Sequence, residues 1–338
     1  MTRFDVLAEQ VLEGHPVTRE EGLELLQTGD AQLLPLVNAA YTIRYAYFGR
    51  KVTIQMLFNA KSGACQEDCH YCSQSSISTA PIDRYALVSP EDMLKAARQA
   101  HEAKAERYCV VISGRSPLEK EVEDIASAVT RIKQELPMQI CCSLGLLTEP
   151  QARRLKAAGV DRINHNLNTS EAYHSSICTT HTYQDRMTTL RNARAAGLEL
   201  CSGGIVGMGE SDEDLVDLAL ALKDLNPDSI PLNMLHPIPG TPLADAGHPR
   251  FQTSRTCLTP QRCLKILCLF RFVHPQRELR AAGGREFNLR SLQPMALYVA
   301  DSLFVNGYLT TPGDPAHEVQ QMLTDLGFEV AAETPTLT

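Results

Sequence analysis

The sequence has no run of about 18 or more apolar residues, so no segment is expected to cross a membrane as a helix. It also lacks a Lys/Arg-rich stretch. With a formal net charge of −8 and an isoelectric point near 5.7, a nucleic-acid footprint is not expected. The opening segment MTRFDVLAEQVLEGHPVTREEG carries acids throughout and has no apolar centre, which does not read as a signal or transit peptide. A cytoplasmic location is the expectation. No low-complexity linker and no internal repeat break the 338 residues, a length suited to one large core or two small ones. Hydrophobic residues at 43% and charged residues at 21% are ordinary for a soluble globular chain.

Cysteine, by contrast, is abundant. There are 11, at positions 65, 69, 72, 109, 141, 142, 178, 201, 257, 263 and 268. An odd number in a long chain without an export signal argues against a disulfide framework and for thiolates as metal ligands.

Short apolar runs alternate with amphipathic segments. Strands are expected at Val52–Phe58, Tyr108–Ile112, Gln139–Leu144, Asp161–His165, Leu198–Val206, Ser229–Met234, Arg277–Ala282 and Ser302–Val305. Helices are expected at Pro90–Glu102, Glu119–Leu136, Glu149–Ala158, Thr182–Ala196, Asp212–Leu225 and Pro260–Val273. Ser89 is an N-cap type residue, and Gly159 and Gly197 are C-cap types. This alternation implies a parallel sheet. Eight units would close a (β/α)8 TIM-type barrel, an α/β fold whose working face lies at the C-terminal ends of its strands; an open doubly wound sheet is the alternative. The expected division is an N-terminal helical extension at 1–45, the barrel at 46–315, and a C-terminal helix and tail at 316–338.

The sharpest motif is Cys65-Gln-Glu-Asp-Cys69-His-Tyr-Cys72, which follows the first expected strand. Three thiolates on one loop can hold three corners of a cubane iron–sulfur cluster and leave one iron open to a small molecule. A zinc knuckle would need a fourth ligand, and His70 inside the triplet is poorly placed to supply it. Cys109, Cys141, Cys201 and Arg280 fall in four other strands. Singly, each cysteine reads as a small buried hydrophobe. Together, three thiolates and an arginine converging inside a barrel can hold a second, smaller cluster, and they give a buried guanidinium a reason to be there. Cys142 adjoins Cys141 and would point the other way; Cys141 is preferred for its distance to Leu144-Gly145, with Cys142 as substitute. Cys178, Cys257, Cys263 and Cys268 read as packing residues. Asn164, Asn166 and Asn168 end the fourth strand and Asn233 the sixth, offering donors and acceptors suited to a polar, uncharged ligand, or serving as caps and turns. The run Gly203-Gly-Ile-Val-Gly-Met-Gly-Glu210 would let backbone approach a ligand and is not a dinucleotide fingerprint.

The triplet spacing resembles the signature of the radical S-adenosylmethionine (SAM) superfamily. The segments around it resemble the biotin synthase family from about Ala39 to Glu329: Asn59–Ser76, Asn164–Ser170, Cys201–Glu210, Ile230–Leu243 and Arg280–Glu286. The resemblance implies an enzyme that inserts sulfur into dethiobiotin. It implies a [4Fe-4S] cluster on Cys65, Cys69 and Cys72 that binds SAM and generates a 5′-deoxyadenosyl radical. It implies a [2Fe-2S] cluster on Cys109, Cys141, Cys201 and Arg280 as sulfur donor. Tyr71 and the segment Gly204, Ile205, Val206 and Gly207 would lie near adenine. Asn168 would meet the ribose or the substrate, Arg186 the SAM carboxylate, and Asn164, Asn166 and Asn233 the substrate, the last two at its ureido ring. A one-electron donor of flavodoxin or ferredoxin type and a homodimer would follow. The rivals are another radical SAM enzyme of the same subgroup, such as a hydrogenase maturase or methylornithine synthase, a non-catalytic iron–sulfur carrier, and a zinc-binding module.

Overall fold

A computed structural model describes residues 1–245 and 258–331, so Cys257 and the tail beyond 331 lie outside the described residues. Ten strands run β1 (Lys51–Lys61), β2 (Arg107–Ile112), β3 (Gln139–Ser143), β4 (Arg162–Asn164), β5 (Glu199–Cys201), β6 (Gly204–Val206), β7 (Ser229–Met234), β8 (Glu278–Ala281), β9 (Ser302–Phe304) and β10 (Glu329–Val330). All their pairings are parallel. The order β1-β2-β3-β4-β5-β7-β8-β9 returns to β1 through Thr53↔Ser302 and Ile54↔Leu303, so the sheet closes. The structure is therefore the closed eight-stave barrel and not the open sheet. β5 and β6 form one stave interrupted at Ser202–Gly203, where both halves lie against β7. β10 adds to the free beginning of β1 through Lys51↔Glu329 and Val52↔Val330.

The helices follow from caps and apolar spacing. Pro90–Glu102 is capped by Ser89, whose hydroxyl accepts the Asp92 amide at 3.2 Å, and it buries Met93, Leu94, Ala97 and Ala100. Glu119–Glu135 buries Val122, Ile125, Val129 and Ile132 at helical spacing. β2 is buried along its whole length, as expected of a stave covered by helices outside and side chains inside. The main apolar core lies between staves and helices and includes Cys142, Cys263 and Cys268. Three N-terminal helices, Arg3–Leu12, Arg19–Leu26 and Leu33–Phe48, bury Phe4, Leu25, Leu36 and Ile43 in the same core.

A β-bulge at the end of β1 sets up the working face. The register slips between Asn59↔Val111 and Lys61↔Ile112, and Gly63 and Ala64 then take positive φ of 73° and 51°. This turn carries the chain off the barrel top into the cysteine triplet.

Candidate functional site

One cavity of about 400 Å³ fills the top and centre of the barrel, and two sets of thiols face it. Cys65, Cys69 and Cys72 line its mouth. Cys109, Cys141, Cys201 and Arg280 line its depth, with Asn164, Asn166, Asn168 and Asn233 between.

The acids within the triplet fix its loop. Asp68 accepts from the Thr179 amide at 2.8 Å and the Thr180 amide at 3.2 Å. Glu67 accepts from Arg115 at 3.0 Å and from the side chains of Thr180 and His181. The His70 amide donates to the Ile177 carbonyl at 2.9 Å. The loop is thereby stitched to the segment after helix Glu171–Ile177, and this places Cys178 beside the triplet. Its Sγ lies 3.7 Å from Cys69 Sγ and 3.3 Å from His181 Nδ1. Cys178 is thus a neighbour of the cysteine loop, contrary to its reading as a packing residue. Cys69 and Cys178 share a hydrogen bond, and Cys178 is the thiolate side, held down at about 4 by that bond against the effect of burial, with His181 adding to it. The partner bond and burial push the Cys69 thiol up.

In the depth of the barrel, Cys109 pairs in register with Cys141, and both face inward. Cys142 is fully buried in the outer core, so the alternation puts Cys141, not its neighbour, in the cavity. Cys141 is drawn down, first by a hydrogen bond from Cys109, with Arg107, Arg162 and Arg280 adding positive charge around it. Cys201 Sγ takes contacts from Asn164 Nδ2 at 3.2 Å and Arg280 Nη1 at 3.7 Å. Arg280 also donates to Ser302 Oγ at 3.1 Å and Ser229 Oγ at 2.9 Å and is ion-paired to Glu278. Its burial therefore has a structural partner as well as a thiol neighbour. Glu278 also accepts from Arg162 and from Gln55 Nε2, each at 2.7 Å. Glu278 and Arg162 gave no periodic or motif signal in the sequence, whereas Arg280 did.

The amides are partly committed. Asn233 bridges the Gly204 carbonyl at 3.2 Å and the Gly283 amide at 3.0 Å. Asn166 Oδ1 accepts the Gly203 amide at 3.1 Å, and Asn168, at φ 72°, donates to Tyr71 Oη. Of the segment 204–207, only Ile205 lines the cavity. A Cβ at Gly203 would overlap the Pro231 carbonyl, and one at Gly204 would press on Leu218 at 2.6 Å. The crowding at these two glycines comes from protein, which differs from the expected close approach to a ligand.

Arg186 is buried. Its Nη1 donates to the Asn166 carbonyl at 2.9 Å and its Nε to His174 Nε2 at 3.3 Å. Among the described residues no carboxylate pairs with it, and it lines the cavity. His165 was not singled out for a role from sequence. It also lines the cavity, its Nε2 has no partner among the described residues, and burial with Arg186 nearby keeps it neutral.

The residues at the mouth fit a cubane's ligand needs: three thiols on one loop anchored by its own spacer acids. Those in the depth present three thiols and one guanidinium to a common space. Within the described residues, no helix is long and apolar enough to cross a membrane.

Comparison with known proteins adds family and fold. The Radical SAM superfamily profile matches residues 60–222, and that of the Biotin and Thiamin Synthesis associated domain matches 231–329. The biotin synthase of Rhodopirellula baltica is 52% identical over 327 residues, covering 97% of this chain and 89% of its own. That of Geobacillus kaustophilus is 51% identical over 330 residues, covering 98% and 96%. The biotin synthase of Bacillus subtilis is 50% identical with the same coverage. Among solved structures, a methylornithine synthase superposes with a TM-score of 0.82 at 19% identity, covering 96% of this chain and 97% of its own. An FeFe-hydrogenase maturase from Carboxydothermus hydrogenoformans gives 0.81 at 15%, covering 98% and 80%. At such identity these two share the fold alone. The full-length likeness at half identity, over a barrel with both thiol sets facing one cavity, places the chain in the biotin synthase family of radical SAM enzymes.

Proposed function

We propose that the chain inserts sulfur into dethiobiotin to form biotin, using SAM. What carries this reading is that Cys65, Cys69 and Cys72 and, deeper, Cys109, Cys141 and Cys201 with Arg280 line the same cavity. When bound, a [4Fe-4S] cluster at the mouth supplies the electron that splits SAM to a 5′-deoxyadenosyl radical, and a [2Fe-2S] cluster in the depth supplies sulfur. Cys65, Cys69 and Cys72 would hold the mouth cluster by three thiolates, which would leave a position for the amino and carboxylate groups of SAM. Arg186, a buried guanidinium with no acid partner among the described residues, suits the carboxylate. Tyr71 and Asn168, bonded to each other, form a wall for the adenosine with Ile205. Asn164, Asn166 and Asn233 offer amide donors and acceptors to the ureido ring, and the apolar walls at Leu57 and Val111 exclude water from the radical's path. The same reading takes a flavodoxin- or ferredoxin-type donor, a homodimer and a cytoplasmic site.

The experiment separates the two thiol sets. Cys65→Ala abolishes SAM cleavage, whereas Cys109→Ala retains cleavage but forms no biotin. Iron, sulfide and Mössbauer spectra on anaerobically purified protein report two cluster types in the parent and one in each variant. Equal loss of cleavage in both variants, or a single cluster type in the parent, overturns the reading.

A further inference from the structure

We propose that Cys69, Cys178 and His181 form a mononuclear site for a divalent ion of the zinc and ferrous class, available only while Cys69 is free of the cubane. The ligand atoms of these three buried residues lie within 4.8 Å of one another. Their spacing matches one shared ion. Two zinc–sulfur bonds of about 2.3 Å at the tetrahedral angle put the sulfurs about 3.8 Å apart, and a sulfur and an imidazole nitrogen about 3.6 Å apart. Cys69 Sγ and Cys178 Sγ are 3.7 Å apart, and Cys178 Sγ lies 3.3 Å from His181 Nδ1 and 3.8 Å from Nε2. Thiolates on separate irons of a cubane stand wider than this, so Cys178 does not fit a fourth corner of the Cys65–Cys72 cluster.

The surroundings are those of a built site. His181 Nδ1 is bonded to Glu67, the carboxylate–histidine arrangement that leaves Nε2 free to ligate and fixes the ring. The bonds from Asp68 to Thr179 and Thr180 and from His70 to Ile177 hold the two ligand segments together. Two sulfurs and one imidazole select zinc or ferrous iron over magnesium or calcium, and water completes the fourth position. Binding is not redox: the ion enters, metal–sulfur and metal–nitrogen bonds form, and the Cys69 thiol proton leaves to solvent. Because Cys69 serves both sites, ion and cubane exclude each other. This exclusion rests on the cluster assignment above, whereas the ion site itself does not.

The test uses full-length chain stripped of iron under anaerobic conditions and titrated with Co2+. The parent takes up one equivalent with thiolate-to-cobalt charge-transfer and tetrahedral ligand-field bands. Cys178→Ser and His181→Gln each lose those bands, while Cys65→Ala keeps them. Retention in Cys178→Ser and His181→Gln, or loss in Cys65→Ala, overturns the site; the latter needs no substitution in the buried Cys178 pocket. In a second arm, one equivalent of Zn2+ added before iron and sulfide slows cluster reconstitution at least several-fold in the parent and less in Cys178→Ser. Equal slowing in both overturns the exclusion without touching the sulfur-insertion reading, which SAM cleavage by the loaded enzyme tests separately.

Discussion

Arg186 carries its charge into a cavity where the described residues offer it a carbonyl and an imidazole but no carboxylate. A buried cation in that state is strongly disposed toward an anion. Arg186→Gln should weaken SAM binding about 10- to 100-fold, the value of a charge-assisted pair of about 1.5–3 kcal/mol, with Arg186→Lys intermediate because it loses the planar fork. Binding isotherms read this, and unchanged affinity in the Gln variant would refute it. Cys141 and Cys142 make a second contrast. Cys141→Ser should keep the melting temperature but lose the deep site's iron and sulfide. Cys142→Ser puts a hydroxyl in the outer core, lowers stability by about 1–3 kcal/mol, and leaves iron content intact. Thermal melts and metal analysis of both variants check the pair; the reverse result would mean that the inward-facing residue had been misplaced.

Among elements, the capped and periodic ones were legible in the sequence. Pro90–Glu102, Asp212–Leu225, Pro260–Val273 and Ser229–Met234 have the expected bounds, since a Ser or Thr cap, a buried stripe or a strand between turns sets each end. The run Leu198–Val206 read as one strand because its apolar residues are continuous, yet Ser202–Gly203 breaks it into β5 and β6. Only the closeness of the Pro231 carbonyl explains why glycine stands there. The helix Pro260–Val273 carries a pH-sensitive end. His274 caps it, is buried, and is pulled down to about 3 by that burial. Its folded value lies below its ordinary 6.5, so the unfolded chain binds the proton more readily. Stability is thus intact above about pH 6.5 and falls as pH drops from there toward about 3. His274→Gln should flatten part of that slope. Urea midpoints measured across the range test this, and an identical slope in the variant would count against it.

At the scale of the whole molecule, the cavity stands on a charged floor. Arg107, Arg162 and Glu278 are the first residues of β2, β4 and β8 and meet under the deep thiols, where the Arg280 and Arg162 charges, opposing burial, hold the Glu278 carboxyl below the usual range. Arg107, Arg162 and Glu278 were not legible beforehand, because a buried ion pair between staves far apart in sequence leaves no local pattern; Arg280 alone was singled out. Cys65, Cys69 and Cys72 were legible because three thiols share one loop, whereas Cys178 and His181 join them only through tertiary packing. Glu278→Gln leaves Arg280 without its counter-charge, while Arg162 keeps Glu199 at 2.8 Å, and should lower stability by about 3–5 kcal/mol, read as a fall in melting temperature. A shift of less than a degree would mean that Arg280 finds another partner.

β1 has a bearing on the order of assembly. One edge of this stave pairs with β2, about fifty residues on, but the other waits for β9 and β10, some 250 to 280 residues downstream. During synthesis the strand that delivers the cysteine loop therefore keeps an open flank until nearly all the described chain has emerged. Closure of the barrel therefore cannot precede the emergence of β9, and metal delivered earlier meets thiols whose final neighbours are not yet in place.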